Sequence, residues 1–260
     1  MLLALDIGNT NITFGVFGEN SEPQDNTPIA TWRIATDRAR LADEYGLLLS
    51  NLLSLKGMQA EHISAIALCS GVPPLTQVFI ELCTTYFRRD PMVIGPGIRT
   101  GIKILYDNTR DVGADRIVDA VAALELYGGP AIVVDFGTAT VFDAVRANGE
   151  YLGGAIAPGI SIAADALFHS SSLLRRVELI RPPEAIGRNT VHALQSGLIL
   201  GYSEMVKGMV TRIDDELGGG TTVVATGGLA GLIEAEAKIF DHVSPHLTLM
   251  GLRIIQEMNS

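Results

Sequence analysis

The chain is short of cysteines, of basic residues and of long apolar runs, and each shortage removes a class of function. Only Cys69 and Cys83 occur in 260 residues, without the spacing of a metal site or the density of a disulfide scaffold. Both read as buried thiols, which suits a reducing, cytoplasmic setting. Lys and Arg number 19 against 29 Asp and Glu, a formal net charge of -10. A surface of that sign does not release counterions from nucleic acid, so nucleic acid is not expected as a partner. No apolar run reaches the roughly 18 residues a membrane helix needs. The opening Met1-Leu2-Leu3-Ala4-Leu5-Asp6 lacks the basic segment of a secretion signal and meets an acid early, so no membrane association is expected. Charged residues are 18% and hydrophobic ones 47%, which excludes a disordered or coiled-coil chain. The length allows two domains of ordinary size, each with its own core.

What the chain does have is one device written twice. Leu2–Phe17 reads as an apolar strand, then Asp-x-Gly, then small hydroxyl or amide residues, then a second apolar strand. Ala131–Val145 reads the same way. Each first strand ends in Asp-x-Gly, at Asp6 and Asp135. Glycine permits a tight turn and lets a ligand approach the backbone. Small polar residues at the tip leave N–H groups free to face an anion, and the Asp can hold a metal or its water. One such hairpin is an ordinary turn. Two, each opening half of a chain, predict a duplicated domain with a nucleotide between the halves.

The rest of the pattern is mixed α/β. A third strand is expected near 29–36, a helix over 43–55, a strand over 63–70, a helix over 73–87 and a short strand at 91–94. Residues 95–113 read as loop and give the best boundary, dividing domain 1–114 from domain 115–260. A helix starts near Asp115 and stops at Gly128-Gly129-Pro130. After the second hairpin come a loop at Gly153–Gly159, a long helix over 190–217, a strand over 221–225 breaking at Thr226-Gly227-Gly228 into a helix, and a closing helix over 247–258. The strand-Thr-Gly-Gly-helix junction offers N–H groups to a nucleotide, although the same residues also make plain turns.

Between the hairpins, Gly113-Ala114-Asp115-Arg116 marks a helix start. Asp115 there is a helix cap in the simplest reading. The Arg that follows opposes the helix dipole, which makes better sense if an anion docks nearby. Taken in order, Asp6-Ile7-Gly8-Asn9-Thr10-Asn11, Tyr106-Asp107-Asn108, Gly113-Ala114-Asp115-Arg116, Asp135-Phe136-Gly137-Thr138, Gly153–Gly159 and Gly187-Arg188-Asn189-Thr190 resemble type III pantothenate kinases along nearly the whole chain.

That resemblance implies two duplicated actin-like, ribonuclease H-like domains with mixed sheets and the nucleotide cleft between them. It implies ATP-dependent phosphorylation of pantothenate to 4′-phosphopantothenate, the first step of coenzyme A synthesis. Residues Asp6, Ile7, Gly8, Asn9, Thr10, Asn11, Ile12 and Thr13 would cradle ATP, joined by Thr138. Asp115 would be the catalytic base. Tyr106, Gly113, Ala114, Asp115, Arg116 and Thr190 would form the pantothenate site, Thr190 from the neighbouring subunit of a homodimer. Asp135 would hold a monovalent cation, K⁺ or NH₄⁺, and Asp6 would serve Mg²⁺ directly or through water. Phosphoryl transfer asks for clamped charge and an aligned acceptor more than for a strong base, so a carboxylate suffices.

Thr109 stands where the family usually has Pro, and Phe168–Leu174 departs from the family's usual Thr-Ala-x-Leu-Pro pattern, which leaves the local shape there open. His169 reads as a surface or interface residue, and Phe14 and Trp32 as hairpin packing. Two rival functions stand beside the kinase: another small-alcohol kinase of the same superfamily, and a non-catalytic accessory regulator of gene expression. Tyr106 at its spacing from Asp115 weighs against the first, and an intact Asp115 against the second.

Overall fold

The computed structural model describes residues 1–18, 26–171 and 174–260. The chain opens with β1 (Leu2–Ile7), β2 (Asn11–Phe17) and β3 (Ala30–Ala35), then α1 (Ala42–Ser54), β4 (Ala65–Ser70), α2 (Pro73–Leu82) and β5 (Met92–Val93). A short β6 (Lys103–Ile104) precedes α3 (Ala114–Tyr127) and the second hairpin, β7 (Ala131–Phe136) and β8 (Ala139–Val145). Next come β9 (Glu150–Pro158), α4 (Ile160–Ser170), α5 (Thr190–Gln195) and α6 (Gly201–Leu217). The chain ends with β10 (Thr222–Thr226), α7 (Ala230–Ala237), β11 (His242–Val243) and α8 (Leu247–Met258).

The duplication is visible in the sheets. The first has the order β3-β2-β1-β4-β5 and the second β11-β10-β7-β8-β9-β6. Read from β9, the second runs β9-β8-β7-β10-β11, the order of the first with β6 added at one edge. In both, the opening hairpin is antiparallel and the third strand antiparallel to the second. The fourth strand returns parallel to the first, and a parallel return needs a crossover long enough for helices. The first copy uses α1 for this and the second α4 to α6.

Each sheet belongs to one compact unit. The first unit comprises residues 1–101, 108–122 and 246–260; the second comprises 102–107 and 123–245. A single division at 114/115 therefore differs from the observed units, because α8 packs on β1 and β4 of the first sheet and β6 pairs with β9 of the second. Sequence periodicity reports which face of α8 is apolar, not which sheet it covers.

In the first unit Leu3, Leu5 and Ile7 of β1 and Phe14 of β2 pack with Tyr45 and Leu49 of α1 and with Leu75 and Phe79 of α2. All are fully buried, and each such side chain contributes about 1.5–3 kcal/mol of transfer free energy. Trp32 stacks on Phe14 with ring centroids 5.1 Å apart, as hairpin packing. In the second unit Ile132, Val134 and Phe142 pack with Val206 and Val210 of α6 and Ile233 of α7. The expected long helix over 190–217 is α5 and α6 joined through a π-helical turn at Ser196–Leu200.

Two expected loops are partly strand. Residues 95–113 contain β6, and Gly153–Gly159 lies largely within β9. Glycines ordinarily weaken a strand, yet Gly154 is packed so closely on the Phe142 carbonyl of β8 that a side chain has no room. A register irregularity at Ala144/Val145 accommodates the glycine pair. Of the divergent segment Phe168–Leu174, Ser172 and Leu173 lie outside the described residues. His169 is exposed.

Candidate active site

In the first unit the end of β1, the turn after β4 and the start of α3 converge. The parallel register sets Asp6 beside Cys69 and Ile7 beside Ser70. The Cys69 thiol donates to Asp6 Oδ1 at 3.4 Å. At the head of α3 the Arg116 N–H donates to Asp115 Oδ1 at 2.9 Å, so the carboxylate is tied to the helix start. Its other oxygen faces Gly71: a methyl group built there would stand 4.0 Å from Asp115 Oδ2 and 3.8 Å from Asn9 Nδ2. Asn9, from the hairpin tip, and Asp115 thus both face the Gly71 turn.

This grouping concentrates negative charge. Burial, and then the neighbouring Asp115, push the Asp6 carboxyl up to about 7, while the Cys69 hydrogen bond pulls it down. Burial and the same two carboxylates hold the Cys69 thiol well above its ordinary range. The thiol is therefore a proton donor to Asp6, not a nucleophile. A carboxylate this crowded is one that a cation would relieve.

The hairpin tip itself is cross-tied. Thr36 Oγ1 donates to the Gly8 carbonyl at 2.6 Å, Arg38 Nη2 donates to Asn9 Oδ1 at 2.7 Å, and Asn9 Nδ2 reaches the Gly71 carbonyl at 3.4 Å. Ile7 and Ile12 are fully buried, so only their backbone can serve a ligand. Asn9 and Thr10 are exposed, and Asn11 and Thr13 half-buried.

The second hairpin belongs to the second unit. Asp135 lies near the end of β7, level with Thr226 of β10. Gly137 and Gly227 flank its carboxylate. A methyl group on Gly137 would come within 3.0 Å of Asp135 Oδ2, and one on Gly227 within 2.5 Å of Oδ1. Gly227 has φ +90°, a conformation that other residues rarely adopt. Both the space beside the carboxylate and the turn after β10 depend on it. Thr138 is exposed at the tip.

Tyr106 also belongs to this unit. Its ring lies against Gly153 (φ +105°), where a methyl group would come within 2.7 Å of Cε2. The glycine therefore forms the floor on which the ring rests. Gly113, Ala114 and Arg116 are half-buried at the start of α3, and Thr190 is exposed in the first turn of α5 behind Asn189, whose side chain accepts from the His192 N–H at 2.9 Å.

Several contributors carry no motif signal. Cys69 reads from sequence as a core thiol, and only the pairing of β1 with β4 reveals its partner. Thr36 and Arg38 sit after an edge strand with nothing to distinguish them. Gly71 and Gly153 become informative once their neighbours are known.

A sheet order repeated with an acidic hairpin at the head of each copy is the architecture of the actin-like α/β class, which includes sugar kinases. The chain aligns at TM-score 0.54 and 14% identity with an inorganic polyphosphate/ATP-glucomannokinase from Arthrobacter sp. strain KM, over 100% of this chain and 99% of that one. A Campylobacter jejuni protein grouped with a Baf family of transcriptional activators aligns at TM-score 0.60 and 20% identity, over 99% and 98%. At such identities these likenesses establish the fold. The family is set by sequence: a type III pantothenate kinase model matches residues 2–212. A type III pantothenate kinase from Moorella thermoacetica is 54% identical over 260 residues, 100% of both chains. The chain belongs to the type III pantothenate kinase family.

Proposed function

We propose that this chain transfers the γ-phosphoryl group of ATP to the 4′-hydroxyl of pantothenate, giving 4′-phosphopantothenate and ADP, the first step of coenzyme A synthesis. Beyond family membership, the observation that carries the reading is the Asp115 carboxylate, fixed at a helix start and facing the same Gly71 turn as Asn9 of the first hairpin. In this reading Asp6 to Thr13 and Thr138 contact ATP. Tyr106, Gly113, Ala114, Arg116 and Thr190 contact pantothenate, Thr190 from the second subunit of a homodimer in the cytoplasm.

Asp115 orients the acceptor hydroxyl and takes its proton as the new O–P bond forms. The bond between the β–γ bridging oxygen and the γ-phosphorus breaks, and its electron pair leaves on ADP. Proton transfer comes late in such a loose transition state, so an ordinary carboxylate serves. The tied-down hairpin tip keeps the phosphates from drifting, which is where much of the rate enhancement of a phosphotransferase lies.

Mg²⁺ and a monovalent cation such as K⁺ suit the residues present. Among the described residues no three Asp, Glu, His or Cys side chains form a metal cluster. Asp6 would offer its carboxylate to the one ion and Asp135 to the other, with phosphate oxygens and water completing each shell. When bound, the ions supply charge neutralisation of the polyphosphate.

The test is ADP formation by the purified chain with Mg²⁺ and K⁺, with and without pantothenate, with mass spectrometry of the product. Pantothenate-dependent ADP and a phosphorylated pantothenate are expected. ATP turnover that ignores pantothenate, or none at all, overturns the reading.

A further inference from the structure

Arg38 is a cation without an anion. It is exposed, follows β3, and among the described residues makes no ion pair. The adjacent carboxylate, Asp37, is occupied elsewhere: its Oδ2 lies 3.7 Å from Arg40 Nε, and its Oδ1 accepts from the Ala39 N–H at 3.0 Å. In a chain of net charge -10, an arginine that no described carboxylate holds calls for an explanation.

The one recorded bond of its side chain supplies it. Arg38 Nη2 donates to Asn9 Oδ1 at 2.7 Å, and the same Asn9 amide donates to the carbonyl of Gly71, the residue whose Cα side faces Asp115 Oδ2. One guanidinium nitrogen is thus spent on aiming the group, and the remaining N–H donors stay at the hairpin tip. A guanidinium presents its donors as a planar fork matched to phosphate oxygens.

We infer that Arg38 is a phosphate-binding residue of this site, with Asn9 as its positioning partner, taking oxygens of the terminal phosphate of the nucleoside triphosphate. The inference rests on the kinase reading for its ligand. Its charge would offset part of the negative charge that Asp6 and Asp115 bring to a site meant for a polyanion. A cation in cis at the transferring group can also contribute strongly to rate, by 10³-fold or more in the best cases.

Binding separates this idea from the kinase reading. Titration calorimetry compares ADP with a non-hydrolysable ATP analogue, each with Mg²⁺, on the full chain and on Arg38→Ala, Arg38→Lys and Asn9→Ala. In Arg38→Ala the analogue should lose about tenfold or more in affinity while ADP changes little. Arg38→Lys should recover only part, because a point charge cannot hold Asn9 and a phosphate together. If the parent phosphorylates pantothenate, kcat of Arg38→Ala should fall about 10²-fold with the pantothenate KM unchanged, and added guanidinium should restore part of it. Equal losses for ADP and the analogue, no loss for either, or an effect confined to the pantothenate KM overturns the assignment. Should Asn9→Ala match Arg38→Ala with no guanidinium rescue, Arg38 merely props the tip. An inactive parent with a selective loss of analogue binding would sink the kinase reading and leave Arg38 in place.

Discussion

The two hairpins share a strand order and a carboxylate, yet they differ in everything around it. The first has a three-residue tip, Gly8-Asn9-Thr10, bound by Thr36, Arg38 and Gly71. Its Asp6 is pushed up to about 7 by burial and by Asp115. The second has a two-residue tip, Gly137-Thr138, and leaves Asp135 between two glycines. One copy is dense with charge and cross-ties; in the other, two glycines pack close on the acid. Duplication supplied two equivalent scaffolds, and in the proposed function the side chains near each tip divide the work, with the base at the first and a monovalent cation at the second.

The sharpest way to test that division is to neutralise Asp115. Asp115→Asn keeps the size of the side chain but removes the proton acceptor and weakens its hold on the hydroxyl. Loss of general-base assistance costs roughly 10²–10⁴ in rate, so kcat should fall by that factor while nucleotide affinity and the melting curve stay close to the parent. Turnover within a few-fold of the parent would reduce Asp115 to a helix cap.

The second hairpin should fail differently. A carboxylate and a polyphosphate repel in a low-dielectric site, and a weakly hydrated cation between them reverses the sign. Activity should therefore require K⁺ or NH₄⁺, with Na⁺ a poor substitute, at fixed ionic strength. Asp135→Ala should remove the K⁺ dependence along with most of the activity. Gly227→Ala should also lower activity, because a methyl group there collides with Asp135 Oδ1 and the Phe136 backbone. Equal rates in K⁺, Na⁺ and a bulky organic cation would end the comparison between the hairpins.

Much of this was legible in the sequence because hydrophobic periodicity and glycine placement are local. Both hairpins, α1, β4, α3 and α8 fall where alternation and helical spacing put them, and Asp6, Asp115 and Asp135 stand out as acids at strand or helix ends. Pairing is not local. Cys69 looks like any core thiol until the β1–β4 register places it against Asp6, and Arg38 looks like any surface cation until Asn9 is found beside it. The glycines of β9 read as loop because their strand is made by close approach to β8, which no single segment encodes. The unit boundary is hidden for the same reason: α8 returns to the first sheet after the second is complete.

The smallest expected effect is on stability, and it runs opposite to the effect on activity. The ordinary value for Asp6 is 3.8, which the unfolded chain keeps, while the folded chain holds it at about 7. Between those limits the folded chain binds the extra proton, so stability falls as pH rises from about 4 to about 7 and then levels. Asp6→Asn removes that loss. The variant should melt level with the parent near pH 4 and clearly above it at pH 8, by up to about 10 °C, since the shift amounts to about 4 kcal/mol at most and one kcal/mol to roughly 2–4 °C in a chain of this size. Adding Mg²⁺ and ATP should invert the order, because ligand binding stabilises the chain that can use it. The parent would gain, and the variant would gain little even in excess Mg²⁺. A variant that melts below the parent at pH 8 without nucleotide would mean that Asp6 is held as a stabilising anion. The first hairpin would then carry no more electrostatic strain than the second.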